Sequence, residues 1–199
     1  MESEIMLQAI VDATKATQDR YEKMSGGLWL DDAPEYFLTS QLSVELNDRL
    51  GLLCTLEEPM VNFPLGRGAP GHQLRRNGKA DIALWDDDDQ IVAIVEVKNN
   101  VYHTSCIDDL HRLAIFSRRV SGRPIGAFAY FQTIEARHEN ACRDLSEISQ
   151  INLRQSIEDA VNTYELQVEH MCFASEPIQY EEGLFYGYLA HASTLRVHT

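Results

Sequence analysis

The sequence predicts a mixed α/β fold, in which a central mixed β-sheet is flanked by helices. The segment 91–95, Ile-Val-Ala-Ile-Val, is apolar at every position, which is typical of a central strand covered on both faces. Segments with helical periodicity lie on both sides of it in the chain. The predicted order of elements is helix, helix, strand, two strands, helix, strand, helix and two strands, which indicates a mixed sheet with helices on its faces.

Two helices are predicted before the first strand. Residues 4–24 show apolar side chains at helical spacing and are followed by Ser-Gly-Gly, which is typical of a helix end. A second helix is predicted from about residue 33 to residue 50, with Asp32 as its cap and Gly51 at its end. Its apolar stripe consists of Leu38, Leu42, Leu46 and Leu50.

A hairpin is predicted in the middle of the chain. Residues 52–56 form a plausible strand, and residues 62–77, which are rich in glycine, form an irregular loop. Two apolar runs follow, at 80–85 and 91–98, and the acidic segment 86–90 separates them. Short β-rich runs around a polar turn favour a β-hairpin.

The remaining elements are predicted from alternating helical and β-rich patterns. A helix is expected from about 107 to 120 and a strand at 124–131. A longer helical stretch at about 136–166 and two strands, 168–174 and 184–191, complete the chain.

The 199 residues are expected to form one domain. We divide it into an N-terminal helix (1–27), a core (33–131) and a C-terminal extension of helix and strands (136–199). The four cysteines are widely spaced and form no CxxC pair, which favours reduced thiols in a cytoplasmic protein. No apolar run approaches the length that crosses a bilayer, so no membrane association is expected.

The net charge of −14 is unfavourable for a protein that binds nucleic acid. Affinity for a nucleic acid comes mainly from Lys and Arg, which displace counterions from the phosphates. Residues 67–123, however, hold 9 of the 17 basic residues and only 8 of the 31 acidic ones. This central stretch is the part of the chain suited to approach a polyanion.

Two carboxylates are predicted to meet inside the hairpin. With a turn at 86–90, antiparallel pairing places Asp81 opposite Val95 or Glu96, and strand alternation places Lys98 on the same face as Glu96. Crowding like charges at the end of an apolar strand is costly unless a cation compensates. Mg²⁺ prefers hard oxygen ligands from one or two carboxylates and retains several waters. The pattern therefore favours a divalent-metal site.

These segments, Gly-Lys-Ala-Asp81 and Val-Glu96-Val-Lys98, resemble the PD-(D/E)XK nuclease superfamily, which has the restriction-endonuclease-like fold. The resemblance implies an αβββαβ core, with Asp81, Glu96 and the carbonyl of Val97 as ligands of Mg²⁺ or Mn²⁺. It also implies that Lys98 assists the attacking water and that Glu35, on the preceding helix, is an auxiliary acid. Ala80 departs from the motif, because it stands where the family name has proline.

Several of these residues have an alternative interpretation. Asp81, Glu96 and Lys98 could form a surface ion-pair cluster, and Glu35 could close a capping box with Asp32.

The basic residues near the hairpin could contact phosphate or could be solvated charges. The candidates for nucleic-acid binding are Arg75, Arg76, Lys79 and Arg112. For Arg112 and its neighbour Asp109, an exposed helix face is the favoured interpretation.

The sequence thus predicts a Mg²⁺-dependent nuclease that hydrolyses phosphodiester bonds of DNA, or of RNA. Because the chain is acidic, we expect a narrow basic cleft, or a protein partner or homodimer that supplies affinity for the substrate. The alternative is an inactive nuclease-fold module that binds or regulates through a protein partner. A hydrolase of small phosphorylated metabolites is a third hypothesis.

Overall fold

The computed structural model describes residues 1–63, 78–99, 106–181 and 183–197. The helices of this part of the chain are α1 (Ser3–Ser25), α2 (Glu35–Leu50), α3 (Ile107–Arg119) and α4 (Glu139–Val161). The strands are β1 (Leu53–Pro59), β2 (Lys79–Trp85), β3 (Ile91–Asn99), β4 (Ile125–Ala136), β5 (Leu166–Ala174), β6 (Ile178–Glu181) and β7 (Leu184–Val197). No helix within these ranges is both long and apolar enough to cross a membrane.

The strands form one mixed sheet in the order β1-β2-β3-β4-β7-β5, and β6 pairs with the start of β7. Only the β3–β4 pair is parallel among the described strands, and all the other pairs are antiparallel. The predicted mixed α/β fold, with helices flanking a mixed sheet, is confirmed.

Strands β2 and β3 form the predicted hairpin. Trp85 pairs with Ile91, and Ile82 pairs with Val95, with a register shift at the Leu84/Trp85 step. The turn is closed by the backbone N–H of Asp86, which donates to the carbonyl of Gln90 at 3.0 Å. The acidic run 86–89 therefore lies in a solvated turn.

Strand β3 is covered on both faces, as its uniformly apolar sequence predicts. Val95 belongs to the core that packs against α1 and α2. Ile94 belongs to the second core, against α3 and α4. Both side chains are fully buried.

Gly126 allows α3 to lie close against β4. A Cβ atom at this position would lie 2.7 Å from Oγ of Ser117 and 3.1 Å from the carbonyl oxygen of Leu113, both on α3. The hydroxyl of Ser117 also donates to the carbonyl of Leu195 in β7, at 3.1 Å. This close approach fixes α3 over the sheet, and α3 carries polar residues toward the end of β3.

Several predicted boundaries are wrong. The helix predicted at about 136–166 is Glu139–Val161, and the strand predicted to end at 191 continues to Val197. The start of α2 and the end of β4 differ as well. Helix α2 begins at Glu35 and not at residue 33, because Pro34 forces extended backbone on Ala33 before it. Strand β4 continues to Ala136, beyond the predicted end at Phe131, because β7 pairs with it along its whole length.

A buried polar chain lies between β5, β7 and α4. Sγ of Cys172 lies 2.7 Å from Nδ1 of His191. Nε2 of His191 lies 2.7 Å from the Ser193 hydroxyl, which lies 2.8 Å from Nδ1 of His170. Nε2 of His170 then faces the Glu158 carboxylate on α4 at 3.3 Å. With that nitrogen protonated, the Ser193 hydroxyl donates to Nδ1 of His170 and accepts from Nε2 of His191. Nδ1 of His191 accepts from the Cys172 thiol, so the hydrogen bonds are consistent with two neutral imidazoles.

Burial, together with the charges of His170 and Arg154, lowers the pKa of His191 to about 3. Unfolding returns this imidazole to an ordinary pKa of about 6.5. At a pH between these two pKa values, the His191 imidazole is therefore protonated in the unfolded chain and neutral in the folded chain. The free energy of unfolding should fall as the pH is lowered from about 6.5 toward 3, by up to about 1.4 kcal/mol per pH unit.

Urea unfolding at several pH values tests this expectation. The variant His191→Gln, which keeps a donor and an acceptor, should show a shallower loss of stability in acid than the wild type. His138→Gln is the matched control, because His138 is exposed at the start of α4. Equal pH slopes in the wild type and His191→Gln would rule out His191 as the source.

Candidate active site

Asp81 and Glu96 lie side by side on neighbouring strands. Because Ile82 pairs with Val95, antiparallel register places Asp81 opposite Glu96, on the sheet face that packs against α3. Glu96 is almost completely buried, with 1% of its surface exposed. The hairpin thus holds two acidic side chains next to each other, one of them inside the protein.

The surroundings of this pair raise the pKa of both carboxyls. For Asp81, burial raises the pKa, and it outweighs a hydrogen bond that the backbone N–H of Val97 donates to Oδ2 at 2.7 Å. For Glu96, burial and then the charge of Asp81 raise the pKa well above the ordinary value. Both shifts have the direction expected when like charges share a poorly solvated site.

Arg112, on α3, binds the buried carboxylate directly. Its Nε lies 3.0 Å and its Nη2 2.9 Å from the same oxygen, Oε1 of Glu96. Nη2 also contacts Oδ1 of Asp109, one turn earlier on the helix. Burial acts to lower the pKa of Arg112, but Glu96 and Asp109 raise it, so the guanidinium remains charged.

Lys98 lies between two further carboxylates. Its Nζ is 3.2 Å from Oδ2 of Asp109 and 3.7 Å from Oε1 of Glu35. Burial acts to lower the pKa of Lys98, but the charges of Asp109, Glu35 and Asp81 raise it above the ordinary value. The ammonium form is therefore stabilised. We call the four carboxylates the acidic cluster; its members are Glu35, Asp81, Glu96 and Asp109.

Asn99 brings Glu35 to the end of β3. The Asn99 side-chain amide donates to the carbonyls of Leu30, at 2.9 Å, and Ala33, at 3.2 Å. These bonds tie the end of β3 to the segment that precedes α2. Glu35, the first residue of α2, then reaches Lys98.

The capping box proposed for Glu35 is wrong. The start of α2 carries no side-chain cap hydrogen bond, and the Glu35 carboxylate instead approaches Lys98. The role of Asn99 was missed from the sequence, because its partners lie more than sixty residues earlier in the chain.

The exposed helix face expected for Asp109 and Arg112 is also wrong. Their side chains are only 13% and 12% exposed, and both point toward the acidic pair in the hairpin. Their spacing of three residues on α3, directly after the strand that carries Glu96 and Lys98, was the available signal.

The candidate nucleic-acid contacts differ in their surroundings. Arg75 and Arg76 lie outside the described residues. Lys79 is exposed and forms an ion pair with Glu57 at 3.2 Å, two residues before Asp81 and on the same strand face. The guanidinium of Arg112 is bound by the acidic cluster.

The donor set fits a magnesium ion. Within the described ranges, no group of three or more His, Cys, Asp or Glu side chains converges in a geometry that could hold a metal. Mg²⁺, however, is usually held by only one or two carboxylates and keeps several waters, so the pair of Asp81 and Glu96 is sufficient in number. When all groups are ionised, the four carboxylates face, among the described residues, the charges of Lys98 and Arg112. The remaining negative charge matches one divalent cation.

Comparison with known proteins finds no relative of this chain. No family model, no curated protein and no solved structure matches this chain. Function is therefore inferred from the side chains that the fold brings together.

Because Asp81 and Glu96 lie opposite each other, their like charges are expected to lower the free energy of unfolding when no metal is bound. Asp81→Asn retains an acceptor for the N–H of Val97 and removes one of two like charges. In a buffer with EDTA, this variant should have a free energy of unfolding about 0.5–2 kcal/mol above that of the wild type. Urea unfolding followed by tryptophan fluorescence measures it.

Asp48→Asn is the control for this variant, because Asp48 is exposed on α2. It should stay within about 0.5 kcal/mol of the wild type. A clear loss of stability in Asp81→Asn would mean that the Asp81 carboxylate stabilises the fold and is not under electrostatic strain.

Proposed function

We propose that this chain is a Mg²⁺-dependent nuclease that hydrolyses phosphodiester bonds of DNA. The observation that carries the proposal is the register that sets Asp81 opposite the buried Glu96, with Lys98 following on the same strand. A pair of adjacent carboxylates with raised pKa values is costly in a protein interior. A divalent cation removes that cost, which gives the arrangement a chemical purpose.

The chain order of the core supports the same proposal. Helix α2, strands β1, β2 and β3, helix α3 and strand β4 follow one another, and β3 is parallel to β4. This is the αβββαβ order expected of a restriction-endonuclease-like core. Under this proposal, Asp81 and Glu96 correspond to the motif's two acids, and Lys98 corresponds to its lysine.

The carboxylates of Asp81 and Glu96, with the carbonyl of Val97, would hold the Mg²⁺. When bound, the ion would supply positive charge to a phosphate oxygen and acidity to a water molecule. Lys98 is held as an ammonium by Asp109 and Glu35. It therefore donates hydrogen bonds and positive charge and does not act as a free base. Its role is to orient the attacking water and to offset the charge that develops on the phosphate.

Glu35 is the exposed member of the acidic cluster, with 45% of its side chain accessible. It sets the position of the Lys98 ammonium from the α2 side, while Asp109 sets it from the α3 side. Lys79, exposed on the same strand as Asp81, is placed to contact the phosphate backbone of a substrate.

A cleavage assay with the full chain tests this proposal. We expect Mg²⁺ or Mn²⁺ to support cleavage of double-stranded or single-stranded DNA, and EDTA to stop it. Lys98→Met should lower kcat by about 10²–10³-fold, because it removes a charged donor from the reacting phosphate. Lys23→Met is the matched control, since Lys23 is exposed in the last turn of α1.

Equal rates for the wild type and Lys98→Met would remove Lys98 from the mechanism, and undiminished cleavage in EDTA would remove the metal. RNA of the same sequence is tested in parallel. Preferential cleavage of RNA would change the substrate class and retain the reaction.

The net charge of −14 favours a second candidate, a non-cleaving module that acts through a protein partner. Calorimetry separates the two candidates. Such a module would bind neither Mg²⁺ nor Mn²⁺, and Asp81→Ala would leave its binding to the partner unchanged.

A further inference from the structure

Each carboxylate of the acidic cluster already has an oxygen engaged by a donor of this chain. Oδ2 of Asp81 accepts the N–H of Val97 at 2.7 Å, and Oε1 of Glu96 accepts two N–H groups of Arg112. Asp109 uses both oxygens, one for Arg112 and one for Lys98. Oε1 of Glu35 lies against Lys98.

Pairs of catalytic divalent ions lie about 3.5–4 Å apart and are commonly joined by a carboxylate that gives one oxygen to each ion. That bidentate bridge needs a carboxylate with both oxygens free. No carboxylate of the acidic cluster meets this condition. Asp81 and Glu96 each keep one oxygen, which is enough for one ion that retains several waters.

The charges of the side chains in the site also favour a single divalent ion. Fully ionised, the acidic cluster carries four negative charges, and the described part of the chain sets the positive charges of Lys98 and Arg112 against them. One divalent ion neutralises this set of groups. A second would leave two uncompensated positive charges beside a side chain that is 1% exposed, where water screens charge poorly.

We propose that this site takes a single divalent cation and that the Arg112 guanidinium stands in place of a second one. Arg112 binds Glu96 and Asp109 from the α3 side and is 12% exposed, so its charge is fixed in the site. This inference rests on the metal site of the proposed function, because it assigns the number of ions and the reason for that number.

The proposal makes Arg112 a determinant of stoichiometry. Arg112→Gln removes one positive charge and releases Oε1 of Glu96 and Oδ1 of Asp109. The site then offers a shared oxygen and one more negative charge, so this variant should bind one additional, weaker Mn²⁺. Arg112→Lys keeps the charge and should bind the same number of ions as the wild type.

Mn²⁺ titration of the EDTA-treated full chain, followed by calorimetry and by the electron paramagnetic resonance signal of free Mn²⁺, measures the number of ions. Arg118→Gln is the matched control. Arg118 lies on the same helix, and its side chain is 43% exposed and faces Glu165. We expect one Mn²⁺ per chain for the wild type, Arg112→Lys and Arg118→Gln, and two for Arg112→Gln.

The outcomes separate this inference from the proposed function. Two Mn²⁺ per wild-type chain would overturn the single-ion inference and leave the nuclease proposal standing. No Mn²⁺ on the wild type would overturn the metal site and the nuclease proposal with it. One Mn²⁺ on a folded Arg112→Gln would show that Arg112 does not replace a second ion. If Arg112→Gln does not fold, the wild-type count still decides the number.

Discussion

The adjacency of two carboxyl groups in the β2–β3 hairpin is the constraint on which the rest of the site depends. Asp81 and Glu96 are adjacent because the register pairs Ile82 with Val95, and Glu96 is buried because α3 covers this face of the sheet. Burial without compensation would cost several kcal/mol for each ion. Linked ion pairs offset this cost. Arg112 binds Glu96, and Asp109 binds both Arg112 and Lys98.

Strand β3 connects this electrostatic arrangement to the fold. Val95 and Ile94 anchor its two faces in separate cores, so the strand cannot rotate to move Glu96 out of the interior. At its end, the Asn99 amide binds the backbone before α2 and brings Glu35 to Lys98. Gly126 lets α3 approach from the other side. The positions of the charged groups are therefore consequences of backbone packing.

Local patterns were sufficient to predict the hairpin and the order of the elements around it along the chain. The acidic turn, the apolar run of β3 and strand alternation together place Asp81, Glu96 and Lys98 on one face. Long-range contacts were not predictable in the same way. Arg112 is buried against Glu96 and Arg118 on the same helix is exposed, and this difference depends on how α3 packs against the sheet. The start of α2 depends on Pro34, which disfavours helical backbone at the preceding Ala33.

Under the proposed function, the acidic composition is compatible with a polyanionic substrate because electrostatic interactions are local. At physiological ionic strength the Debye length is about 8 Å, so exposed acids farther away contribute little to the potential at the scissile phosphate. What matters is the charge within the acidic cluster, where Lys98 and Arg112 already offset two of the four carboxylates and one divalent ion would offset the other two. The net charge of −14 then weakens long-range steering of the substrate, and its effect falls on the association rate and not on the chemistry of the site.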